Sequence, residues 1–292
     1  MVEMSAAPSF AAPSDEAVMA RAGTENFPVA SRLLPAAERE DLLAVYGFAR
    51  LVDELGDTVG NEPAERLVAL DWLESELDAA FAGRASHPLL VRLQATVAKR
   101  SLRREPFARL IEANRLDQRR ERYETWEQLR HYCSLSADPV GELVLAVFGF
   151  TDRERIALSD KICTALQLAE HCQDVAEDLR RGRVYIPAED LARFGCEPGE
   201  LSAAHASPSV CAVLAFEVQR ARGLIAEGLP LIGTLRGRMR VAVAAFAAGG
   251  SAALDAIERA GYDVLAGPPA AGSARRLVAL AATLRRPEAR RR

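Results

Sequence analysis

The chain has 292 residues, a net charge of −4 and an apolar content of 49%, which are ordinary values for a globular protein. The slight excess of acidic residues gives no reason to expect a nucleic acid as partner. Five cysteines in an odd number, without metal-ligand spacing, argue against a disulfide framework. They favour buried free thiols in a reducing, cytoplasmic setting. No continuous apolar run reaches the roughly 18 residues of a membrane-spanning helix.

Composition and patterning predict an all-α protein. Ala, Leu, Arg and Glu dominate, and no segment alternates apolar and polar residues as a half-buried strand does. An Ala/Pro/Ser-rich segment, residues 1–14, is predicted to be disordered, and residues 15–266 are predicted to form one helical domain. Within that domain, apolar spacing predicts helices over residues 38–57, 63–82, 87–100, 104–119, 125–148, 152–181, 187–194, 209–229 and 237–265.

Residues 267–292 are predicted to form a linker and a basic tail, and the tail has two interpretations. The sequence RRLVALAATLRRPEARRR (275–292) can form a short basic amphipathic helix that contacts anionic lipid. The protein would then be peripheral to the inner face of the cell membrane. The alternative is a frayed end in solvent, and the residues favour neither.

A first pair of carboxylates lies in the predicted helix over residues 38–57. Asp53 and Asp57 are four residues apart and therefore share one helix face. Two carboxylates in this arrangement repel each other by about a few tenths of a kcal/mol unless a cation lies between them. A single pair of this kind usually belongs to a solvated helix face.

A second pair makes the pattern more informative. Asp174 and Asp178 repeat the spacing in the predicted helix over residues 152–181, with Glu170 one turn earlier and Gln167 three residues before it. If the two helices face one another, the aspartates converge on a cavity, where unpaired carboxylates are costly and metal ions relieve the cost. Since Mg²⁺ completes a small protein ligand set with water and phosphate oxygens, the pattern indicates Mg²⁺ bridging the protein to a diphosphate.

Arginines accompany both pairs. Arg50 lies one turn before Asp53, and Arg180, Arg181 and Arg183 follow Asp178, with Tyr185 after them. Arginine can hold phosphate oxygens in a bidentate manner, although a cluster at a helix end can also simply compensate the helix dipole. The position directly behind the acidic pair favours diphosphate binding.

Aromatic residues are the remaining candidates for an apolar substrate pocket: Phe27, Tyr46, Phe48, Tyr132, Phe148 and Phe246. An aromatic face stabilises a passing cation by about 0.5–2 kcal/mol, but each of these residues is more often plain core. The four histidines show no ligand spacing. His171, in the second acidic helix, is expected at most to support its neighbours.

Four segments together resemble the squalene/phytoene synthase family, the head-to-head branch of the class I isoprenoid synthases. Asn26-Phe27 leads into Leu33-Leu34-Pro35; VYGFARLVDELGD (45–57) is similar to the family's first aspartate-rich motif, YCSLSADPVGEL (132–143) to its central segment, and LQLAEHCQDVAEDLRRGRVYIP (166–187) to its second aspartate-rich motif and the following flap. The resemblance implies a single-domain bundle of helices around a central cavity.

The resemblance also implies roles for individual residues. Mg²⁺ would be bound by Asp53, Asp57, Glu170, Asp174 and Asp178; diphosphate would be contacted by Arg50, Gln167, Arg183 and Tyr185; the prenyl pocket would be shaped by Phe27, Tyr46, Tyr132, Ala137, Val140 and Gly141. Tyr132 and the four aspartates would be the catalytic residues.

Two departures and two similarities bear on the reaction. Many family members have Asn at the position of Glu170 and Arg at that of Gln173, which changes the charge near the diphosphate. The stretches ENFPVAS (25–31) and QDVAED (173–178) are similar to the bacterial hydroxysqualene synthase branch, which ionises presqualene diphosphate and lets water capture the rearranged cation without a nicotinamide.

Two alternatives remain. One is a squalene or phytoene synthase that condenses two prenyl diphosphates, such as farnesyl diphosphate. The other is a non-catalytic assembly or binding relative, against which the retention of all four aspartates argues.

Overall fold

The computed structural model describes residues 10, 12–19, 36–58, 60 and 62–284. In this part of the chain there is no β-strand, only an isolated parallel bridge between Arg122 and Val184. The predicted all-α fold is confirmed. The chain divides into two compact units, residues 1–119 and 120–292, which are described separately. A single domain over residues 15–266 stays a prediction.

The first unit is built around one long helix. Its helices are α1 (Asp15–Met19), α2 (Ala36–Asp57), α3 (Pro63–Phe81), α4 (Pro88–Arg100) and α5 (Glu105–Asp117). Helices α3 and α4 begin with proline, whose fixed φ and missing N–H suit the first helical position. Helix α2 packs against the other four.

Two kinds of contact hold α2 in place. Leu51 and Leu55 are fully buried, and the rings of Phe48 and Phe107 meet edge to face with centroids 5.1 Å apart. The buried carboxylate of Asp41 accepts hydrogen bonds from Lys99 at 2.9 Å and from Arg100 at 2.6 Å. Apolar packing against α5 and a buried charge pairing to α4 therefore fix the helix that carries the first acidic pair.

The second unit contains α6 (Trp126–Ser136), α7 (Asp138–Val147), α8 (Arg153–Gln173), α9 (Val175–Arg180), α10 (Ala188–Arg193), a 3₁₀ helix (Pro198–Ser202), α11 (Pro208–Gly228), α12 (Pro230–Thr234), α13 (Gly237–Arg259) and α14 (Ser273–Leu284). The single helix predicted over residues 125–148 is wrong, because α6 and α7 are separate. Pro139, in the first turn of α7, lacks the N–H of a continuous helix and disfavours helical geometry just before it.

Helix α8 is surrounded by α7, α11 and α13. Each of these neighbours places a glycine against it: a Cβ on Gly141 would overlap Ser159 and Cys163, one on Gly228 would meet Ile162 and the Leu158 carbonyl, and one on Gly250 would overlap Leu166. The absent side chains let three helices approach α8 closely. This packing positions the helix that leads into the second acidic pair.

Helix α13 is, within the described residues, the one helix that passes a length and composition test for a membrane span, with a mean hydropathy of 1.4. Half of its most apolar 18-residue stretch is buried within the protein. Met239, Val243 and Ala247 pack in a cluster with Leu145 and Leu231, which is the packing of a core helix.

Candidate functional site

The first acidic segment is a polar face on α2. Asp53 and Asp57 are exposed, and Tyr46 and Arg50, earlier on the same face, are half-buried. As the spacing predicted, the two carboxylates lie opposite the buried leucines.

The charge on this part of α2 is unfavourable for a helix end. Residues 50–57 contain one arginine and three carboxylates, a net charge of −2, and the last turn has no basic residue. Carboxylates at the negative end of a helix dipole each cost about 0.3–1 kcal/mol. The Arg50 guanidinium lies 3.5 Å from Glu54 and 4.0 Å from Asp53. A further cation would be stabilised here.

Two amides, one on α5 and one on the residue directly after it, border this acidic face, and the sequence analysis missed them. The Asn114 Nδ2 lies 3.5 Å from Asp53 Oδ1, and Gln118 Nε2 donates to the Gly56 carbonyl at 2.9 Å. A Cβ on Gly56 would overlap the Asn114 amide, so glycine permits the close approach. The one available signal was that Asn114 and Gln118 are four residues apart on a predicted helix.

The second acidic segment contains a break in the helix. The prediction of one helix over residues 152–181 is wrong at Asp174, whose backbone (φ −101°, ψ 15°) leaves helical geometry between α8 and α9. This is the sparsely populated bridge region, in which many functional residues lie. The Asp178 N–H still donates to the Asp174 carbonyl at 2.8 Å, so the two carboxylates remain one turn apart.

Burial makes the second pair electrostatically costly. The Asp178 side chain is 16% exposed, and burial, followed by the charge of Asp174, raises its pKa to about 7. Burial and the charge of Glu177 also raise the pKa of Asp174. Arg181 and Arg183 partly offset the increase at Asp178. The ionised pair is therefore disfavoured unless a cation binds beside it.

An aromatic cluster adjoins Asp178. Tyr185 stacks on His171 with ring centroids 3.9 Å apart and an interplanar angle of 11°. The ring centroid of Tyr132 lies 5.4 Å from that of Tyr185. Tyr123 also stacks on Tyr185, with ring centroids 5.7 Å apart. Burial lowers the pKa of His171 to about 3, which keeps the imidazole neutral. The cluster thus presents buried, uncharged rings next to the acidic pair.

His171 connects Gln167 to Asp178. Its Nε2 lies 3.3 Å from the Gln167 amide nitrogen, and its Nδ1 lies 4.0 Å from Asp178 Oδ2. With the amide donating to Nε2, the ring proton is on Nδ1 and faces the carboxylate. His171 therefore has the supporting position expected from the sequence.

A buried charge pairing, also missed by the sequence analysis, is centred on Asp138. Asp138 is 2% exposed and bonds to Arg130 at 2.9 Å and to Thr164 at 2.9 Å. These bonds join α6, α7 and α8. The available signal was a lone acidic residue before a proline in an apolar segment.

The residues expected to shape a prenyl pocket have varied surroundings. Tyr132 and Ala137 are buried, Val140 is 40% exposed, and Gly141 packs against α8. Phe27 lies outside the described residues. Phe48 is plain core, and Phe148 packs against the core of the second unit. The pocket lining stays a prediction.

No group of three or more His, Cys, Asp or Glu side chains suited to a metal ion occurs within the part of the chain that the structure describes. The Mg²⁺ ligand set of Asp53, Asp57, Glu170, Asp174 and Asp178, and the shared cavity, stay predictions. Glu170 and Arg183 are half-buried.

All five cysteines are free, as predicted. Burial raises the pKa of Cys163 to about 12, so it is not an activated thiol.

Comparisons with known proteins agree on one family. The family model described as squalene/phytoene synthase matches residues 20–281. A hydroxysqualene synthase from Rhodopseudomonas palustris is 35% identical over 214 residues, 73% of this chain and 72% of the relative. A presqualene diphosphate synthase from Sinorhizobium fredii is 34% identical over 207 residues, 69% of this chain and 72% of the relative.

A solved structure agrees with these relatives. The crystal structure of squalene synthase HpnC from Alicyclobacillus acidocaldarius has a TM-score of 0.79 and 45% sequence identity. The match covers 87% of this chain and 95% of that one.

Proposed function

Since the chain belongs to the squalene/phytoene synthase family of isoprenoid synthases, we propose that it ionises presqualene diphosphate and lets water capture the rearranged cation to give hydroxysqualene. The observation that carries the proposal is the half-buried pair of Asp174 and Asp178, whose ionised form calls for a cation, beside neutral aromatic rings. The choice of substrate is supported by the relative named hydroxysqualene synthase.

Mg²⁺ is the proposed cofactor, because the donors fit it. Carboxylate oxygens are its preferred protein ligands. In the second unit Glu170, Asp174 and Asp178 would hold it, and in the first unit Asp53 and Asp57 would do so. When bound, the metal supplies positive charge that stabilises a departing diphosphate.

The proposed diphosphate contacts come from side chains next to the carboxylates. Arg183 and Tyr185 follow Asp178, and the Arg183 N–H donates to the Asp178 carbonyl at 2.9 Å, which fixes the turn between them. Arg183 and Arg50 would bind phosphate oxygens through paired N–H groups. Gln167 would act on the same polar face, where it is held by His171.

The reaction then needs a cavity that protects a cation. The C–O bond to diphosphate breaks, and the electron pair leaves with the diphosphate. The face of Tyr132 would stabilise the cyclopropylcarbinyl cation by about 0.5–2 kcal/mol. Within the second unit, Ala137, Val140 and Gly141 would exclude bulk water while the carbon skeleton rearranges. One water adds its oxygen to the cation and gives its proton to the released diphosphate, so no reductant is consumed.

Product analysis tests the proposal directly. The purified chain is incubated with presqualene diphosphate and Mg²⁺, without NADPH, and the products are identified by mass spectrometry. Hydroxysqualene is expected, and EDTA should abolish its formation. An inert mixture with a folded, Mg²⁺-loaded protein would overturn the proposal.

A second candidate is condensation of two prenyl diphosphates, as in a squalene or phytoene synthase. It is favoured by the relative named presqualene diphosphate synthase. Turnover of farnesyl or geranylgeranyl diphosphate alone would support it over the first.

A non-catalytic assembly role is favoured by no observation, since the relatives are named synthases. It predicts unchanged function in cells after Asp53→Asn combined with Asp174→Asn.

A further inference from the structure

The C-terminal helix α14 is firmly packed on one side. Leu280 and Leu284 pack against the apolar cluster of the second unit, and Ala279 packs beside Ala252 and Ala256 of α13. The Arg240 guanidinium donates to the Leu284 carbonyl at 3.3 Å, which joins α14 to the first turn of α13. The tail is therefore helical over Ser273–Leu284, and these contacts set the orientation of the helix on α13.

The opposite side of α14 is apolar and exposed. Leu277 is 66% exposed and Val278 is 70% exposed, the two highest values among the exposed large apolar residues of the described chain. Ala281 and Ala282, each one turn later, are exposed as well. We call the surface formed by Leu277, Val278, Ala281 and Ala282 the outer face. Single exposed apolar residues are ordinary, but a whole helix face of them is not.

Basic residues lie at both ends of the outer face. Arg275 and Arg276 are exposed at the start of α14, which contains no acidic residue. At the other end, the Arg240–Leu284 bond brings the first turn of α13 close, where Arg236 and Arg238 are exposed. Residues 285–292 continue from the same end with five arginines and one glutamate. The surroundings are therefore strongly positive.

We propose that the outer face docks on the surface of an anionic phospholipid membrane. The apolar stretch between Arg276 and Arg285 is too short to span a bilayer, but an apolar face with basic ends is what an interfacial helix presents. The apolar side chains would enter the acyl boundary, and the arginines would contact phosphate headgroups. Each arginine near an anionic surface strengthens binding about fivefold. The proposal does not depend on the reaction assigned above.

Vesicle co-sedimentation of the full chain tests the docking. Wild-type protein should bind vesicles of phosphatidylcholine with phosphatidylglycerol at least about tenfold more tightly than vesicles of phosphatidylcholine alone, and added salt should weaken the binding. The double variant Leu277→Ser, Val278→Ser should bind about tenfold more weakly. Arg236→Gln with Arg238→Gln should weaken binding to the anionic vesicles only.

A matched control comes from the first unit. Val68 on α3 is also exposed, at 54%, and Val68→Ser should leave vesicle binding unchanged. Thermal melting checks that all variants fold. Equal binding by the Leu277/Val278 variant and the Val68 variant would overturn the proposal. A second contrary result would be that wild-type protein is a dimer by light scattering and does not bind vesicles, while the Leu277/Val278 variant is a monomer. The outer face would then join two copies of the chain.

Discussion

The two aspartate pairs share one sequence spacing but have different surroundings. Asp53 and Asp57 are exposed near the end of an unbroken helix, where the unfavourable term is the helix dipole. Asp174 and Asp178 lie on either side of a helix start and are half-buried beside aromatic rings, where the unfavourable term is desolvation. The ionised form of the same D-x-x-x-D pattern is therefore less favourable in the second unit than in the first. The four predictions below test that difference.

The largest expected effect is on turnover. Asp178→Asn and Asp53→Asn should each lower the turnover number about 10²–10³-fold, because each removes a charge that would hold the cofactor against the leaving group. Glu177→Gln is the matched control, since Glu177 is exposed and paired with Arg181 at 2.9 Å. It should change turnover less than about twofold. Steady-state kinetics measures all three, and an equal loss in Glu177→Gln would mean that general charge, not the aspartate face, matters.

Stability of the metal-free protein should separate the two pairs. Burial raises the pKa of Asp178 from its ordinary value of 3.8 to about 7 in the folded chain, so the folded state binds more protons than the unfolded state between these pH values. Its contribution to stability is therefore present below about pH 4 and is lost as the pH rises through about 7. Asp178→Asn should raise the free energy of unfolding at about pH 8 by about 1–3 kcal/mol.

Asp53→Asn is the comparison for that measurement. An exposed carboxylate should change the free energy of unfolding by less than about 0.5 kcal/mol. Urea unfolding in EDTA at several pH values gives both numbers. Equal changes in the two variants would show that burial does not distinguish the pairs.

Around the first pair, the free energy of unfolding should depend on close helix packing and not on desolvation of a carboxylate. Gly56→Ala places a methyl group against the Asn114 amide and should lower the free energy of unfolding by about 1–3 kcal/mol. Gly223→Ala on α11 meets open space and should raise it by about 0.5–1 kcal/mol. Denaturant unfolding of both variants is the test, and a stabilising Gly56→Ala would show that α5 does not abut the acidic face.

The smallest effect is expected at His171. His171→Phe keeps a ring under Tyr185 but removes the nitrogen that faces Asp178, so the half-saturating Mg²⁺ concentration should rise about tenfold. His131→Phe, at an exposed position on α6, should leave it unchanged. Activity measured against Mg²⁺ concentration provides the readout. If the half-saturating Mg²⁺ concentration of His171→Phe is unchanged, His171 contributes only through packing.

Much of the local structure could be predicted from the sequence. The errors in the predicted helices have separate causes. Helices α3, α4 and α11 followed from apolar spacing, and their predicted starts at residues 63, 87 and 209 lie within one residue of the observed ones. The break before Pro139 had a visible signal, since proline disfavours a continuing helix. The break at Asp174 had none, because no residue there excludes helical geometry and the backbone angles depend on the surrounding fold.

The sequence by itself determined which helix face each carboxylate occupies, because a four-residue spacing is a local property of a helix. The sequence also identified the family, because the combination of its four motifs is specific. Only the tertiary structure decided that Asp178 is half-buried while Asp53 is exposed, that His171 stacks on Tyr185, and that Asn114 reaches Asp53 from another helix. Desolvation depends on what packs around a group, and those neighbours come from distant parts of the chain.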